Sequence, residues 1–323
     1  MDLINKLLIE ASPAAPYLRC RIPGIIPLGT GEALIYYECR RDDSDWAAID
    51  VGCRRVGADG SVGARVILAD GRGRTTVNNP VMIAEGATVH FLYCENYKRV
   101  FYRRSPDAGR TWTAPREITG EIERGLGGFF WNVIAVGPGH GTVHACGRLL
   151  VPCWLAVNRE DPFAHHPSVI SMIYSDDGGE TWDIAGIIDA GGLPDPNETC
   201  IAPLPDGRVL INVRSESPKK CRHTALSGDG LHWSQLKAEP ALPDPVCCAG
   251  LCRAGGDLLF SNCENTDRRA DLTLKRLSPE GGIREKLYLS EPGGYSDVCA
   301  LADGTALVFY EADRDLVLAR VRL

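Results

Sequence analysis

The 323-residue chain carries 35 basic and 42 acidic side chains, which gives a formal net charge of -7. Hydrophobic residues make up 44% of the chain and charged residues 24%, proportions that are ordinary for a globular protein with a large core. This composition excludes a collagen-like or mostly disordered chain. The acidic balance also argues against broad binding to nucleic acid or to anionic membranes, because both require a basic surface.

The first ten residues have a helical pattern, but they open with an acid and polar residues interrupt the apolar stretch, which argues against a signal peptide. No run of 18 or more apolar residues is present, so no transmembrane segment is predicted. Thirteen cysteines without an export signal predict reduced, mostly buried thiols in a cytoplasmic protein. Cys247, Cys248 and Cys252 lack a histidine or second cysteine pair at zinc-finger spacing, so no metal site is predicted.

Short apolar runs alternate with turn residues along the whole chain. Pro205-Asp206-Gly207 and Asp303-Gly304, for example, each precede such a run and favour tight turns. Short runs between turns are typical of strands, so the sequence predicts an all-β protein. The runs span residues 31–37, 88–94, 149–155, 209–213, 257–261 and 306–310.

A turn motif recurs through the chain. The pattern S-x-D-x-G-x-T-W occurs at 105–112 and 175–182, a copy one residue shorter lies at 227–233, and a copy without the tryptophan lies at 278–282. In such a turn the aspartate caps backbone amides, the glycine adopts a positive φ and the tryptophan fills the gap between neighbouring sheets. A repeat of roughly 50 residues predicts a six-bladed β-propeller. We expect a single domain over residues 1–323, with 1–12 as a short N-terminal extension.

These turns are similar to the Asp boxes of the sialidase (neuraminidase) superfamily and of unrelated propellers, and alone they indicate fold rather than function. Further motifs resemble those of the exo-α-sialidases in order and spacing along almost the whole chain. They are Arg21-Ile22-Pro23, the strand 36–40 ending in Arg40, the loop 44–50 containing Asp45, Gly137-Pro138-Gly139-His140-Gly141, the segment from Asn197-Glu198 to Arg214, 267–273 containing Arg269, Gly294-Tyr295-Ser296 and Tyr310-Glu311.

The resemblance implies a retaining exo-glycoside hydrolase that removes terminal α-linked sialic acid, or a related nonulosonic 2-keto acid sugar, from glycoconjugates. In the family's pattern Tyr295 is the nucleophile, Glu198 draws off its proton and Asp45 is the acid/base. Asp42 and Asp43 are lesser candidates for the acid/base, because the loop after Arg40 is one residue shorter than is common in the family. No cofactor is implied.

The same pattern assigns the remaining site residues to substrate binding. Arg21, Arg214 and Arg269 form a triad for the sugar carboxylate, with Arg268 as the alternative to Arg269. The resemblance further implies that Arg40 binds substrate and that Glu311 orients Arg21.

The chemistry explains why these residue types belong together. Sialic acid carries a carboxylate on its anomeric carbon, so the site must hold an anion beside the reacting centre, and arginine offers bidentate donors for it. A carboxylate nucleophile would be repelled by that anion. A tyrosine is neutral until its proton is removed, which is why sialidases are an exception to the two-carboxylate rule for glycosidases.

One position departs from the family's pattern. Asn79, in Val77-Asn78-Asn79-Pro80, replaces an aspartate that contacts the sugar around its C4 and amide substituents. Asparagine removes a charge and adds donors, so the preferred sugar stays open between N-acetylneuraminic acid, its deaminated analogue and another 2-keto acid sugar. His165-His166 is predicted either at the rim of the site or in a polar loop. Residues 127–131 are predicted either to line the pocket for the acyl group or the aglycone, or to form a buried apolar segment that crosses between blades.

Three other functions are compatible with these motifs. A trans-sialidase shares every catalytic residue with a hydrolase and differs in acceptor binding. A second alternative is a propeller that binds sialylated glycans without cleaving them, but such a protein would not need Tyr295, Glu198 and Asp45 together. A third is a hydrolase of uncharged sugars, which would not need the arginine triad. For the hydrolase, the trans-sialidase and the glycan-binding propeller alike, the expected partner is a sialylated or nonulosonic-acid-containing glycan.

Overall fold

The computed structural model describes residues 1–323 and is built almost entirely from strands. Six sheets surround a common axis, and the first strands of neighbouring blades contact each other around it. The predicted all-β, six-bladed β-propeller is therefore confirmed. None of the structure's helices has the length and apolar character needed to cross a membrane.

The first strand of the chain is β1 (Asp2–Glu10), so the helix that the sequence predicts for this segment is wrong. The segment pairs with the last strand of the chain, with bulges between Leu3 and Asn5 and between Leu8 and Glu10. A ten-residue helix is marginal in water, whereas an unpaired strand edge offers a full ladder of hydrogen bonds. The free edge of the last strand therefore favours a strand over a helix for residues 2–10.

Blades 1 and 2 contain the next strands of the chain. Blade 1 has four antiparallel strands: β2 (Arg19–Pro27), β3 (Ala33–Arg40), β4 (Ile49–Val56) and β5 (Val66–Ala69). Blade 2 has the antiparallel strands β6 (Val77–Glu85), β7 (Thr88–Glu95), β8 (Arg99–Ser105) and β9 (Arg116–Glu117). The helix α1 (Thr119–Gly125) leads to blade 3.

Blade 3 is more irregular than its neighbours. Its strands are β10 (Val133–Val136), β12 (Thr142–Val143), β13 (Leu149–Ala156), β14 (Ser168–Ser175) and β15 (Asp183–Ile184). Between its first two strands, the short β11 (Gly139–His140) crosses to pair in parallel with β6 of blade 2.

Blades 4 to 6 complete the ring. Blade 4 comprises β16 (Thr199–Pro203), β17 (Val209–Val213), β18 (Cys221–Ser227) and β19 (Lys237–Pro243). Blade 5 comprises β20 (Gly250–Ala254), β21 (Asp257–Cys263), β22 (Leu272–Leu277) and β23 (Ile283–Ser290). Blade 6 comprises β24 (Ser296–Ala300), β25 (Thr305–Ala312), β26 (Asp315–Arg322) and, as its outer strand, β1.

The repeated turns have the hydrogen bonds that their residue types predict. Asp107 Oδ1 accepts from the Thr111 amide at 2.8 Å, and Asp177 Oδ1 accepts from the Thr181 amide at 2.9 Å. The tryptophan of each complete turn packs into the hydrophobic cluster between its own blade and the preceding one. These tryptophans are Trp112, Trp182 and Trp233.

The segment Gly137-Pro138-Gly139-His140-Gly141 crosses the propeller axis. His140 Nδ1 lies 2.9 Å from the carboxylate of Asp297, and Asp297 Oδ2 accepts from the backbone amide of Ile25 at 2.9 Å. Asp297 thus joins β24 to β2 and β11 at the centre of the molecule. This contact fixes the inner strands from which several site residues extend.

Candidate active site

The predicted site residues converge on one cavity of about 350 Å³. Arg21, Asn79, Glu198 and Tyr295 lie in or next to the inner strands of their blades, and the others lie in later strands or in the loops that follow them. The lining residues are Arg21, Ile22, Arg40, Asp45, Asn79, Tyr97, Trp154, His165, His166, Asn197, Glu198, Arg214, Arg269 and Tyr295. Of the predicted site residues only Glu311 lies behind the lining.

Tyr295 immediately precedes β24, and Glu198 immediately precedes β16. The Tyr295 hydroxyl donates to Glu198 Oε1 at 2.5 Å and accepts from Arg214 Nη1 at 2.7 Å. Arg214 also forms an ion pair with Glu198. Burial raises the pKa of Tyr295 well above its ordinary value, although the positive charge of Arg214 acts in the opposite direction. The phenol is therefore neutral and hydrogen-bonded to a carboxylate able to accept its proton.

Three guanidinium groups surround the ring of Tyr295. The Cζ atoms of Arg21, Arg214 and Arg269 lie 5.2, 5.9 and 5.1 Å from the ring centroid. Arg269 donates to the carbonyl of Val246 at 3.1 Å and lines the cavity. A cluster of three permanent cations around one phenol ring is suited to binding a carboxylate beside that ring.

Glu311, on β25, lies behind Arg21. Its Oε1 accepts from Arg21 Nε and from the backbone amide of Ile22, both at 3.1 Å. Burial opposes ionisation of this carboxyl group, but the charge of Arg21 and the Ile22 amide hold its pKa below the ordinary value. The ionised carboxylate fixes the direction in which Arg21 points.

Asp45 extends from the loop between β3 and β4 and contacts Arg40. Arg40 Nη1 donates to Asp45 Oδ1 at 2.6 Å, and Arg40 Nη2 lies 2.6 Å from Glu38 Oε2. Burial favours the neutral acid, but the charge and hydrogen bond of Arg40, with the charge of Arg21, lower the pKa of Asp45. Glu38 and Arg40 are almost completely buried, whereas about half of the Asp45 side chain is exposed.

Asn79 lies on β6 with a positive φ of 52° and is buried. Its backbone amide donates to Glu38 Oε1 at 2.8 Å, and its side-chain oxygen accepts from Asn78 at 2.8 Å. The position therefore presents a neutral amide to the cavity. Glu38 links this residue to Arg40 and Asp45 across two blades.

An aromatic wall of Trp46, Tyr97, Trp154 and His165 lies near Asp45, and all of its members except Trp46 line the cavity. The Tyr97 ring centroid lies 4.8 Å from that of Trp46 and 4.9 Å from that of His165, which lies 5.4 Å from that of Trp154. Burial lowers the pKa of His165, although the charge of Asp45 acts against this. A neutral imidazole and three rings give this side of the cavity an apolar face.

The alternative site candidates Arg268, Asp42 and Asp43 lie outside the cavity lining. Arg268 forms an ion pair with Glu291 at 2.8 Å, whereas Arg269 lines the cavity. Asp43 pairs with Arg19 at 3.2 Å and Asp42 caps the Ser44 amide. The segment 127–131 does not line the cavity either, since Phe129 and Phe130 are exposed and Trp131 packs on the cluster between blades 2 and 3.

Sequence reasoning did not assign Glu38, Tyr97, Trp154 or Asn197 to the site. Glu38 carried a usable signal, because residues two apart on a strand share a face and Arg40 follows it by two positions. Tyr97 lies in a turn with φ of 51°, and no local pattern marks it. Trp154 lies within an apolar run that is typical of a buried core strand.

The cysteines are unpaired thiols, and all of them except Cys146 are buried. Burial raises the pKa of several of these thiols, for example that of Cys53 to about 12, so they remain protonated. Cys247, Cys248 and Cys263 pack beside Tyr295 as small hydrophobic residues. No group of three or more metal-binding side chains is arranged to hold an ion.

Comparison with known proteins agrees with this architecture. The family model described as "BNR repeat-like domain" matches residues 47–308. The chain is 26% identical to a sialidase of Bacteroides fragilis (strain YCH46), covering 90% of this chain and 60% of the relative. It is 32% identical to a sialidase of Micromonospora viridifaciens, covering 68% of this chain and 34% of the relative.

Among solved structures, the Hadza microbial sialidase Hz136 superposes with a TM-score of 0.81 at 22% identity, covering 95% of this chain and 66% of that one. The propeller with its aspartate-containing turns and polar central cavity is of the sialidase type. The chain belongs to the BNR repeat-like family within the sialidase superfamily. It spans less than two thirds of the length of each of these relatives.

Proposed function

We propose that this protein is a retaining exo-glycoside hydrolase that releases terminal α-linked sialic acid, or a related nonulosonic acid, from glycoconjugates. The observation that carries the proposal is the position of the Tyr295 hydroxyl, within hydrogen-bond distance of both Glu198 and Arg214. Glu198 can take the proton of the phenol, and the arginines around the ring can hold the substrate carboxylate. The named sialidases among its relatives support the same class of reaction.

In the first step Tyr295 Oη attacks the anomeric carbon while its proton passes to Glu198. Asp45 donates a proton to the leaving glycosidic oxygen, so the bond to the aglycone breaks as the bond to tyrosine forms. The substrate carboxylate, bound to Arg21, Arg214 and Arg269, offsets part of the positive charge that keeps the pKa of Asp45 low. Substrate binding thus favours the protonated form that donation requires.

In the second step water attacks the anomeric carbon of the tyrosyl-sugar intermediate. Asp45, now a carboxylate, takes a proton from that water, and Glu198 returns its proton to the departing Tyr295 oxygen. Two displacements at the same carbon give net retention. A sugar hydroxyl in place of water would give transfer, which this site would catalyse with the same groups.

The test is hydrolysis of fluorogenic α-ketosides of N-acetylneuraminic acid, its deaminated analogue and an eight-carbon keto acid sugar. We expect turnover of at least one ketoside, and Tyr295→Phe should lower kcat by at least ~100-fold while binding of a sialic acid glycal is kept. Tyr93→Phe is the matched control, because Tyr93 is a buried tyrosine in the core between blades 1 and 2. Glycal binding without turnover of any ketoside by the unmodified protein would instead indicate a lectin.

A further inference from the structure

A second cavity, of about 310 Å³, lies between blades 4 and 5, away from the active-site cavity. Six leucines from both blades form most of its apolar wall, and charged side chains stand among the remaining lining residues. The leucines are Leu210, Leu226, Leu242, Leu251, Leu258 and Leu277.

The position of this cavity is explained by the repeated turns. In blades 2, 3 and 4 a turn tryptophan packs into the gap to the preceding blade. The corresponding turn of blade 5, residues 278–282, has no tryptophan, and Pro279, Glu280 and Gly281 line the cavity. The cavity thus occupies a gap in which the turn of blade 5 lacks the indole ring that the turns of blades 2, 3 and 4 supply.

The turn glycines support the same interpretation. A Cβ atom on Gly109 would lie 2.6 Å from Leu34, and one on Gly230 would lie 2.5 Å from Leu150, both in the preceding blade. A Cβ atom on Gly281 would have no atom within 4 Å, and one on Gly282 would meet only Ser278 of its own turn, at 3.3 Å. Blades 4 and 5 are therefore not in contact at the point where the turns of blades 2 and 4 press on their neighbours.

Asn212 is the one polar side chain of the cavity wall that is buried. Asn212 is 1% exposed, and its Oδ1 accepts from Arg222 Nε at 2.6 Å, which fixes the orientation of the amide. Its Nδ2 consequently points away from Arg222, and no hydrogen bond is made by this nitrogen. Because Asn212 and Leu210 are two residues apart on β17, they project from the same face, and both line the cavity.

We propose that this interblade cavity is a small-molecule site for a planar aromatic compound of indole size that carries one hydrogen-bond acceptor. The leucines supply an apolar slot like the gaps that tryptophan fills in other blades, and Asn212 Nδ2 supplies the donor for the acceptor atom. A buried donor without a partner disfavours a purely apolar occupant and selects for one that can accept. The site is independent of the catalytic proposal.

Isothermal titration of the full chain with oxindole tests the site, with indane as the analogue that lacks an acceptor. We expect one oxindole per chain and about fivefold tighter binding than that of indane, the effect of one hydrogen bond. Leu210→Trp fills the cavity from blade 4, so it should weaken oxindole binding by at least ~10-fold, because a filled slot cannot admit a second ring. If that variant does not fold, Leu226→Phe provides the same comparison.

Val66→Trp is the control, because Val66 is exposed on the outer strand of blade 1 and lies outside this cavity. It should bind oxindole as the unmodified protein does. Absence of oxindole binding at millimolar concentration would overturn the proposal. Binding that Leu210→Trp and Leu226→Phe leave unchanged, or binding of indane equal to that of oxindole, would do the same.

Discussion

Arg21 Nε lies 3.1 Å from Glu311 Oε1, although 290 positions separate the two residues in the sequence. The pair joins β2 of blade 1 to β25 of blade 6 at the point where the ring closes. One member lines the active-site cavity, and the other holds it in place from behind.

Replacing Glu311 with glutamine should raise KM for a sialoside more than it lowers kcat. Glutamine keeps one acceptor but loses the charge that pairs with Arg21, and its amide group would face the donors that the carboxylate now accepts from. Loss of a charged hydrogen bond of this kind costs about 1.5–3 kcal/mol, so we expect a rise in KM of roughly tenfold to a hundredfold. Glu216→Gln, on an exposed loop, should leave KM unchanged. An unchanged KM in Glu311→Gln would mean that Arg21 needs no such support.

The alkaline limb of the pH profile of kcat/KM should report the ionisation of Asp45. A general acid must be protonated, so the rate falls as pH rises through its pKa in the free enzyme. Because Arg40 and Arg21 hold the pKa of Asp45 below its ordinary value, we expect this fall to occur in the acid range. A pH–rate profile measured from pH 3 to 8 checks this, and a limb near neutrality would contradict the assignment.

Asp45→Ala should show a strong dependence on the leaving group. Protonation of the glycosidic oxygen matters greatly for an alkoxide leaving group and little for an acidic phenol. We therefore expect the rate of the first step to fall by ~100-fold to 10,000-fold with a sialyl-lactose as substrate. With an aryl ketoside the fall in this rate should be much smaller. Asp43→Ala, which removes an exposed partner of Arg19, is the control. Equal losses on both substrates would exclude Asp45 as the acid.

Asn79→Asp should change which sugars bind. The substitution replaces a neutral amide with an acceptor-only carboxylate, which favours substrate hydroxyls that can donate and disfavours groups that can only accept. We expect the KM ratio between a ketoside with free ring hydroxyls and its O-methylated counterpart to fall several-fold, an effect of about one hydrogen bond. Identical ratios in Asn79→Asp and the unmodified protein would place Asn79 outside the sugar contacts.

Trp182→Ala should destabilise the propeller without altering the site directly. Trp182 is 3% exposed and packs in the cluster between blades 2 and 3, so its truncation should cost about 3–5 kcal/mol. Denaturant unfolding followed by far-UV circular dichroism measures the loss. Trp112→Ala should cost less, because Trp112 is only partly buried. Equal losses in the two variants would contradict the packing argument.

The fold could be predicted from the sequence because its turns carry local signals, and eight of the nine site positions expected from the motif resemblance line one cavity. The turn of residues 105–112 uses Asp107 and Gly109 for reasons that hold within eight residues, and its recurrence gives the number of blades. Tyr295 and Glu198 likewise stand next to strand starts. These signals require no knowledge of what lies across the axis.

The remaining features depend on contacts between distant stretches. Glu38 acts as a link only because Asn79, from the next blade, donates its amide to it. Tyr97 and Trp154 form a wall with Trp46 because three blades meet at the axis, and no segment alone shows this. The sequence predicts a helix for the first ten residues because their strand partner, β26, lies at the other end of the sequence.

The pairing of β1 with β26 has a consequence for biosynthesis. During translation β1, which closes the ring, is made before every other strand of the propeller, and its partner β26 is made after all of them. The contacts of Arg21 with Glu311 and Tyr295 therefore form only after almost the whole propeller has left the ribosome. The proposed hydrolase activity would thus report on completion of the ring rather than on folding of any one blade.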